Sequence, residues 1–205
     1  MKTISILGDS YSTFKGYIPK DYSTWYPNDE QGIDSVKQTW WHLLCESIGL
    51  KLVTNSSYNG STICNTGYGG ENSAYSSFVT RLETDLGKEK KDSDFLIIFG
   101  ATNDFWAGSP IGEIKYQDWT EENLKQFAPA FAYMMHYAKQ WNKTSKIYCV
   151  INDELPNYIR DIMLEVCNHY DIAVVELQGV DKTNGHPTVK GMQTIAKSLQ
   201  EALDI

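Results

Sequence analysis

Five short apolar runs punctuate the chain, at 3–7, 51–55, 94–99, 146–151 and 171–176, and they alternate with longer segments of helical periodicity. Phe95-Leu96-Ile97-Ile98-Phe99 is apolar at every position, the pattern of a strand covered on both faces in a parallel sheet. Helical patterns occupy 39–48, 72–86, 121–141, 155–170 and 188–203. Within 121–141, Leu124, Phe127, Ala128, Phe131, Met134, Met135 and Ala138 recur near helical spacing and define a core-facing stripe. Pro129 in that stripe predicts a kink or break. Strands alternating with helices predict a three-layer αβα domain with right-handed crossovers and a five-stranded parallel sheet, with 1–205 as one domain.

One segment departs from that economy. Residues 11–38, between the first strand and its helix, are too many for a plain connection, and long loops in compact domains usually carry function. This stretch holds Phe14, Tyr17, Tyr22, Trp25 and Tyr26, and a second aromatic loop, Phe105-Trp106-Ala107-Gly108, comes after the third strand. Trp25, Tyr26 and Trp106 are therefore expected to contact substrate.

Composition narrows the partners. Of 205 residues, 41% are hydrophobic and 21% charged, which suits a folded domain with a sizeable core rather than a disordered chain. The net charge of −8 argues against nucleic acid or an anionic membrane as partner, because both call for a clustered cationic surface. The one basic run, 88–92, is interleaved with acids and reads as a solvated loop. Cys45, Cys64, Cys149 and Cys167 show neither CxxC pairing nor metal-ligand spacing. His42, His136 and His169 fall on helical patterns without partner motifs and read as structural, so no metal is expected. No glycine-rich phosphate loop comes after the first strand, and no cofactor is expected. With no run long enough to span a membrane and none at the start long enough for a leader's apolar region, a cytoplasmic location is expected. Oligomeric state is not legible.

Chemistry-bearing residues gather after the strands. Gly8-Asp9-Ser10 ends the first, Ser57-Tyr58-Asn59-Gly60 comes after the second, Thr102-Asn103-Asp104 after the third, and Asn184-Gly185-His186-Pro187 after the fifth. In parallel α/β sheets those positions share one edge, where ligands bind. A hydroxyl, an imidazole and polar donors on one edge are the parts acyl transfer needs.

In those four blocks the chain resembles the SGNH hydrolases, the GDSL-type esterases and lipases. The resemblance implies a flavodoxin-like strand order 2-1-3-4-5, with Ser10 as nucleophile and His186 as general base. It implies an oxyanion hole of the Ser10 N–H, the Gly60 N–H and the Asn103 side-chain amide. Two positions depart from the family pattern. Ala101 stands where the third block has glycine, tolerable if its φ is negative. Thr183 stands three residues before the histidine, where the family has its catalytic aspartate. Either Asp181 swings in as the acid, or a backbone carbonyl holds the imidazole and the enzyme works as a Ser–His dyad. Asp104 reads as a structural hydrogen-bonder and Glu154 as part of a helix start. The expected activity is hydrolysis of a small-molecule ester through an acyl-enzyme, first an acetyl ester of a carbohydrate. The alternatives are a lysophospholipase or thioesterase and a non-catalytic carbohydrate binder on the same scaffold.

Overall fold

A computed structural model describes residues 1–90 and 92–203, so Lys91 of the basic run lies outside the described residues. The sheet strands are β1 (Thr3–Gly8), β2 (Lys51–Ser57), β3 (Phe95–Phe99), β4 (Lys146–Ile151) and β5 (Ala173–Glu176), all parallel, in the order β2-β1-β3-β4-β5. The helices are α1 (Trp40–Ile48), α2 (Phe78–Leu86), α3 (Thr102–Ala107), α4 (Phe127–Trp141), α5 (Asn157–His169) and α6 (Val189–Ala202). A two-stranded antiparallel ribbon, β6 (Lys182–Thr183) and β7 (His186–Pro187), stands apart from the sheet just before α6.

Alternation of side chains along the strands divides the core in two. Leu7, Leu96, Ile98, Cys149 and Ile151 face α2, α4 and α5, while Ile4, Ile6, Ile97, Phe99 and Val150 face α1 and α6. Both faces are thus sealed, which is why β3 is apolar throughout.

The structure corrects the sequence reading in several places. Pro129 neither kinks nor breaks α4: it is the third residue of the helix, where the missing N–H has no intrahelical acceptor to lose. The interruption in 121–141 comes earlier, at Gln126, whose extended backbone separates α4 from a short 3-10 turn. The helix expected from residue 72 starts only at Phe78, where the Ser77 hydroxyl caps it. Helix α3 had no periodic signal, being six residues long. Nor was the β6–β7 ribbon anticipated, although Asn184-Gly185 is a strong two-residue hairpin signal; both adopt positive φ (50° and 75°) as a type I′ turn requires.

Candidate active site

In register, Gly8 pairs with Ser57 on one side and Phe99 on the other, so the turn leaving β1 lies between the segments leaving β2 and β3. Gly8 must lack a side chain, because a Cβ there would lie 2.5 Å from Ser57 Oγ and 2.7 Å from Ser12 Cβ. The chain then tightens into a 3-10 turn, Ser10–Ser12, capped by the Asp9 carboxylate, which accepts the Tyr11 N–H at 3.0 Å. Trp40 donates its indole N–H to Ser12 Oγ, and Trp41 and Asn55 donate to Ser12 O. That bracing fixes a turn carrying a nearly buried Ser10.

His186 reaches Ser10 from the ribbon, with its Nε2 3.1 Å from Ser10 Oγ. Its Nδ1 lies 3.1 Å from the backbone carbonyl of Asn184. A carbonyl can only accept, so Nδ1 carries the proton and Nε2 is left to accept from the serine hydroxyl. Burial holds the His186 pKa below its ordinary value, with the Asn184 carbonyl acting in the opposite direction. The ring is therefore neutral, and able to take a proton, at pH 7.

Asp181 is not brought to the imidazole. Thr183 pairs with His186 and Lys182 with Pro187, so continuing that register sets Asp181 across from Thr188. There its carboxylate accepts the Thr188 hydroxyl and its carbonyl the Thr188 N–H, at the start of α6. The two-residue turn leaves no bulge through which Asp181 could swing. Thr183, at the usual acid position, uses its carbonyl to accept from Gln31 Nε2 at 3.0 Å.

After β3, Asn103 lies in the first turn of α3. Its Nδ2 is buried without a hydrogen-bond partner among the described residues, while its Oδ1 accepts the Tyr68 hydroxyl at 2.7 Å. An amide turned so that its donor alone is unsatisfied is disposed to receive an anion. Gly60 lies in a turn closed by the Ser61 N–H on Tyr58 O. Asp104, next to Asn103, accepts the N–H groups of Ile63 and Cys64 at 2.8 and 3.2 Å, tying α3 to the segment after Gly60. Ala101 adopts φ 77°, so the condition under which alanine was tolerable does not hold and the residue sits strained in the left-handed region.

The predicted aromatic contacts divide. Tyr26 is wholly buried and donates its hydroxyl to Pro187 O at 2.8 Å, so it anchors the ribbon and is not available to substrate. Trp25 lies flat against the His186 ring, with centroids 3.8 Å apart and planes 9° from parallel. Trp106, 38% exposed, tilts toward the same imidazole at 5.7 Å and covers Gly185. Tyr11 presents its edge to that ring at 5.5 Å and donates its hydroxyl to Gly185 O.

Two functional supports had escaped the sequence reading. Arg81, on the buried side of α2, donates to Ser76 O, Ser56 O, Ser56 Oγ, Gly8 O and Ser61 Oγ, joining the ends of β1 and β2 to the Gly60 turn. Its only sequence signal is a charge at apolar helical spacing, between Phe78 and Leu82. It also lies close enough to oppose the burial that pushes the Asp9 carboxyl up to about 7. Lys182, nearly buried, pairs with Asp153 and Glu154 and donates to Asn152 Oδ1, which clamps the ribbon to the end of β4. Glu154 thus precedes α5 rather than starting it, and its carboxylate is engaged by that lysine. Among the described residues, no cluster of three or more His, Cys, Asp or Glu could hold a metal ion.

Ser10 after β1, met by His186 from beyond β5, with Gly60 after β2 and Asn103 after β3, is the arrangement of an SGNH-type hydrolase. The chain belongs to the GDSL-like lipase/acylhydrolase family, whose model matches residues 2–203. It is similar to a GDSL-like lipase of Bacteroides ovatus, at 42% identity and TM-score 0.93, covering 98% of this chain and 97% of that one. A GDSL-like lipase of Bacteroides uniformis is 40% identical with TM-score 0.94, covering 99% of this chain and 95% of the other. An acetyl xylan esterase from Butyrivibrio proteoclasticus shares the fold at 15% identity and TM-score 0.63, with 98% of this chain and 62% of that chain covered. No curated protein matches the sequence.

Proposed function

We propose that the chain hydrolyses a short-chain ester, first an acetyl ester of a carbohydrate, through an acyl-enzyme on Ser10 with His186 as the base of a Ser–His dyad. The contact of His186 Nε2 with Ser10 Oγ, its Nδ1–H already spent on a carbonyl, carries the reading. As Ser10 Oγ attacks the ester carbon, its proton passes to Nε2. The carbonyl oxygen gains the negative charge and rests on Asn103 Nδ2, the Ser10 N–H and the Gly60 N–H. The imidazolium then gives its proton to the departing alcohol oxygen. Water, deprotonated in turn by His186, frees the acid and restores the serine. A dyad suffices because the oxyanion donors and positioning supply much of the acceleration.

The acetyl preference is in keeping with the deep burial of the reacting groups: Ser10, Asn103 and His186 are 2%, 2% and 6% exposed. Exposed rings of Trp106 and Tyr68 on the rim suit the C–H face of a sugar. The acetyl xylan esterase of the same fold is in keeping with that substrate.

Replacing Ser10 by Ala is expected to abolish hydrolysis of p-nitrophenyl acetate with the circular dichroism spectrum unchanged. A fluorophosphonate is expected to label the native chain at Ser10. Retained turnover in the variant overturns the mechanism, and rates that climb from acetyl to octanoyl esters overturn the substrate class.

A further inference from the structure

The imidazole lacks the carboxylate that ordinarily balances its charge in a triad. Its surroundings are Ser10 Oγ at Nε2, the Asn184 carbonyl at Nδ1, the edge of Tyr11, the tilted ring of Trp106, and Trp25 across one whole face. Burial lowers its proton affinity and the Asn184 carbonyl raises it, and among the described residues no acidic side chain hydrogen-bonds the ring. The Tyr11 hydroxyl is directed away, onto Gly185 O.

A ring parallel to an imidazole and 3.8 Å from it presents the negative face of its π cloud to the charge that appears when Nε2 is protonated. Such contacts are strongest where water is excluded, as it is around His186. Trp25 is also tied down. Its indole N–H donates to Gln31 Oε1 at 3.2 Å, and the buried Gln31 donates in turn to Thr183 O, directly across the ribbon from His186. The backbone N–H of Trp25 is held by Thr13 Oγ1, one turn beyond the nucleophile. The indole is thereby referenced to both Ser10 and the ribbon that bears the base.

We infer that Trp25 is a positioning residue that takes over the acid's role, its stacked face steadying the His186 ring and stabilising the imidazolium formed during acyl transfer. This rests on the Ser10–His186 reading of the site. Nothing is transferred to or from the indole; it lowers the free energy of a cation that the reaction creates and then discharges.

The test compares Trp25→Leu, which keeps an apolar cover, with Trp25→Phe, which keeps a stackable face. For Trp25→Leu, kcat on p-nitrophenyl acetate is expected to fall roughly tenfold, about 1.4 kcal/mol, with KM within about twofold. The acid limb of its kcat/KM profile is expected to move to lower pH, because the protonated ring has lost support. Trp25→Phe is expected to fall between it and the native protein on both measures. An acid limb that stays put or moves up in Trp25→Leu overturns the inference, whatever happens to kcat. Should neither variant fold, NMR of the native chain decides: the His186 ring C–H resonances are expected well upfield under the indole, and ordinary shifts refute the stacking. Activity surviving in Ser10→Ala sinks the dyad itself. Activity lost there, with the acid limb unmoved in Trp25→Leu, sinks only the assignment of Trp25.

Discussion

Arg81→Met is the most informative perturbation of this scaffold. The guanidinium is fully buried and serves five acceptor atoms, three of them backbone carbonyls, those of Gly8, Ser56 and Ser76. Methionine fills much of the volume and satisfies none of them. The hydroxyls of Ser56 and Ser61 can turn to other partners, and Gly8 O keeps the Tyr58 N–H, but a buried carbonyl left without a donor costs roughly 1 kcal/mol or more. Relief from burying a cation offsets part of that. Removing one member of a buried charged network usually costs about 3–5 kcal/mol, and that is the expected loss. Urea unfolding monitored by tryptophan fluorescence reads it: with a slope of about 2–3 kcal/mol/M, the midpoint drops by roughly 1–2 M. Because Arg81 holds Gly8 O and Ser61 Oγ with the same nitrogen, Ser10 and the Gly60 turn lose their common reference. Catalysis by the surviving fold is expected to drop about tenfold or more, as misplacement near an ångström does. A midpoint unchanged within about 0.3 M, with kcat intact, would refute the view that this residue joins the two strand ends.

Three further outcomes are expected. Tyr68→Phe frees the Asn103 amide to rotate, so kcat should fall about tenfold with KM nearly constant, and the loss should not add to that of Asn103→Ala in a double-mutant cycle; additive losses contradict a shared role. Asp9 has a folded pKa near 7 against an unfolded value of about 3.9, so the native state keeps a proton that the unfolded chain has released. The contribution of Asp9 to stability should therefore decline as pH rises from about 4 to 7 and level off above, and Asp9→Asn should reduce that slope in urea titrations, the like contribution of Asp104 remaining and the lowered His186 and His136 acting against it. Ala101→Gly exchanges about 1–2 kcal/mol of left-handed strain for a lost buried methyl and a more flexible unfolded chain, so a net gain below about 1 kcal/mol is expected. A loss larger than that by calorimetry would mean the methyl's packing outweighs the strain.

The range of the forces involved separates the features legible in the sequence from those hidden in it. The sheet was legible because each strand's pattern is local and burial on both faces leaves it apolar. The positions of Ser10, Asn103 and His186 emerged from the chemistry-bearing residues after the strands. Asp181 was weighed by its distance along the chain, whereas the hairpin register decides which residues face each other, and Asn184-Gly185 held that register in plain view. Tyr26 and Trp25 are neighbours in one aromatic loop, yet one is sealed beneath the ribbon and the other lies on the imidazole. No pattern in a single sequence separates two such rings. Arg81 was hidden for a related reason, since its partners come from four stretches of the chain that only folding assembles.

The ribbon supplies both the imidazole and, two residues earlier, the oxygen that occupies its far nitrogen. Proton placement on the ring is thus decided inside three consecutive residues and travels with them. If the ribbon shifts against the sheet, the gap to the serine changes but the chemical form of the base does not. A triad whose acid came from a separate element would have two gaps to keep closed; here there is one.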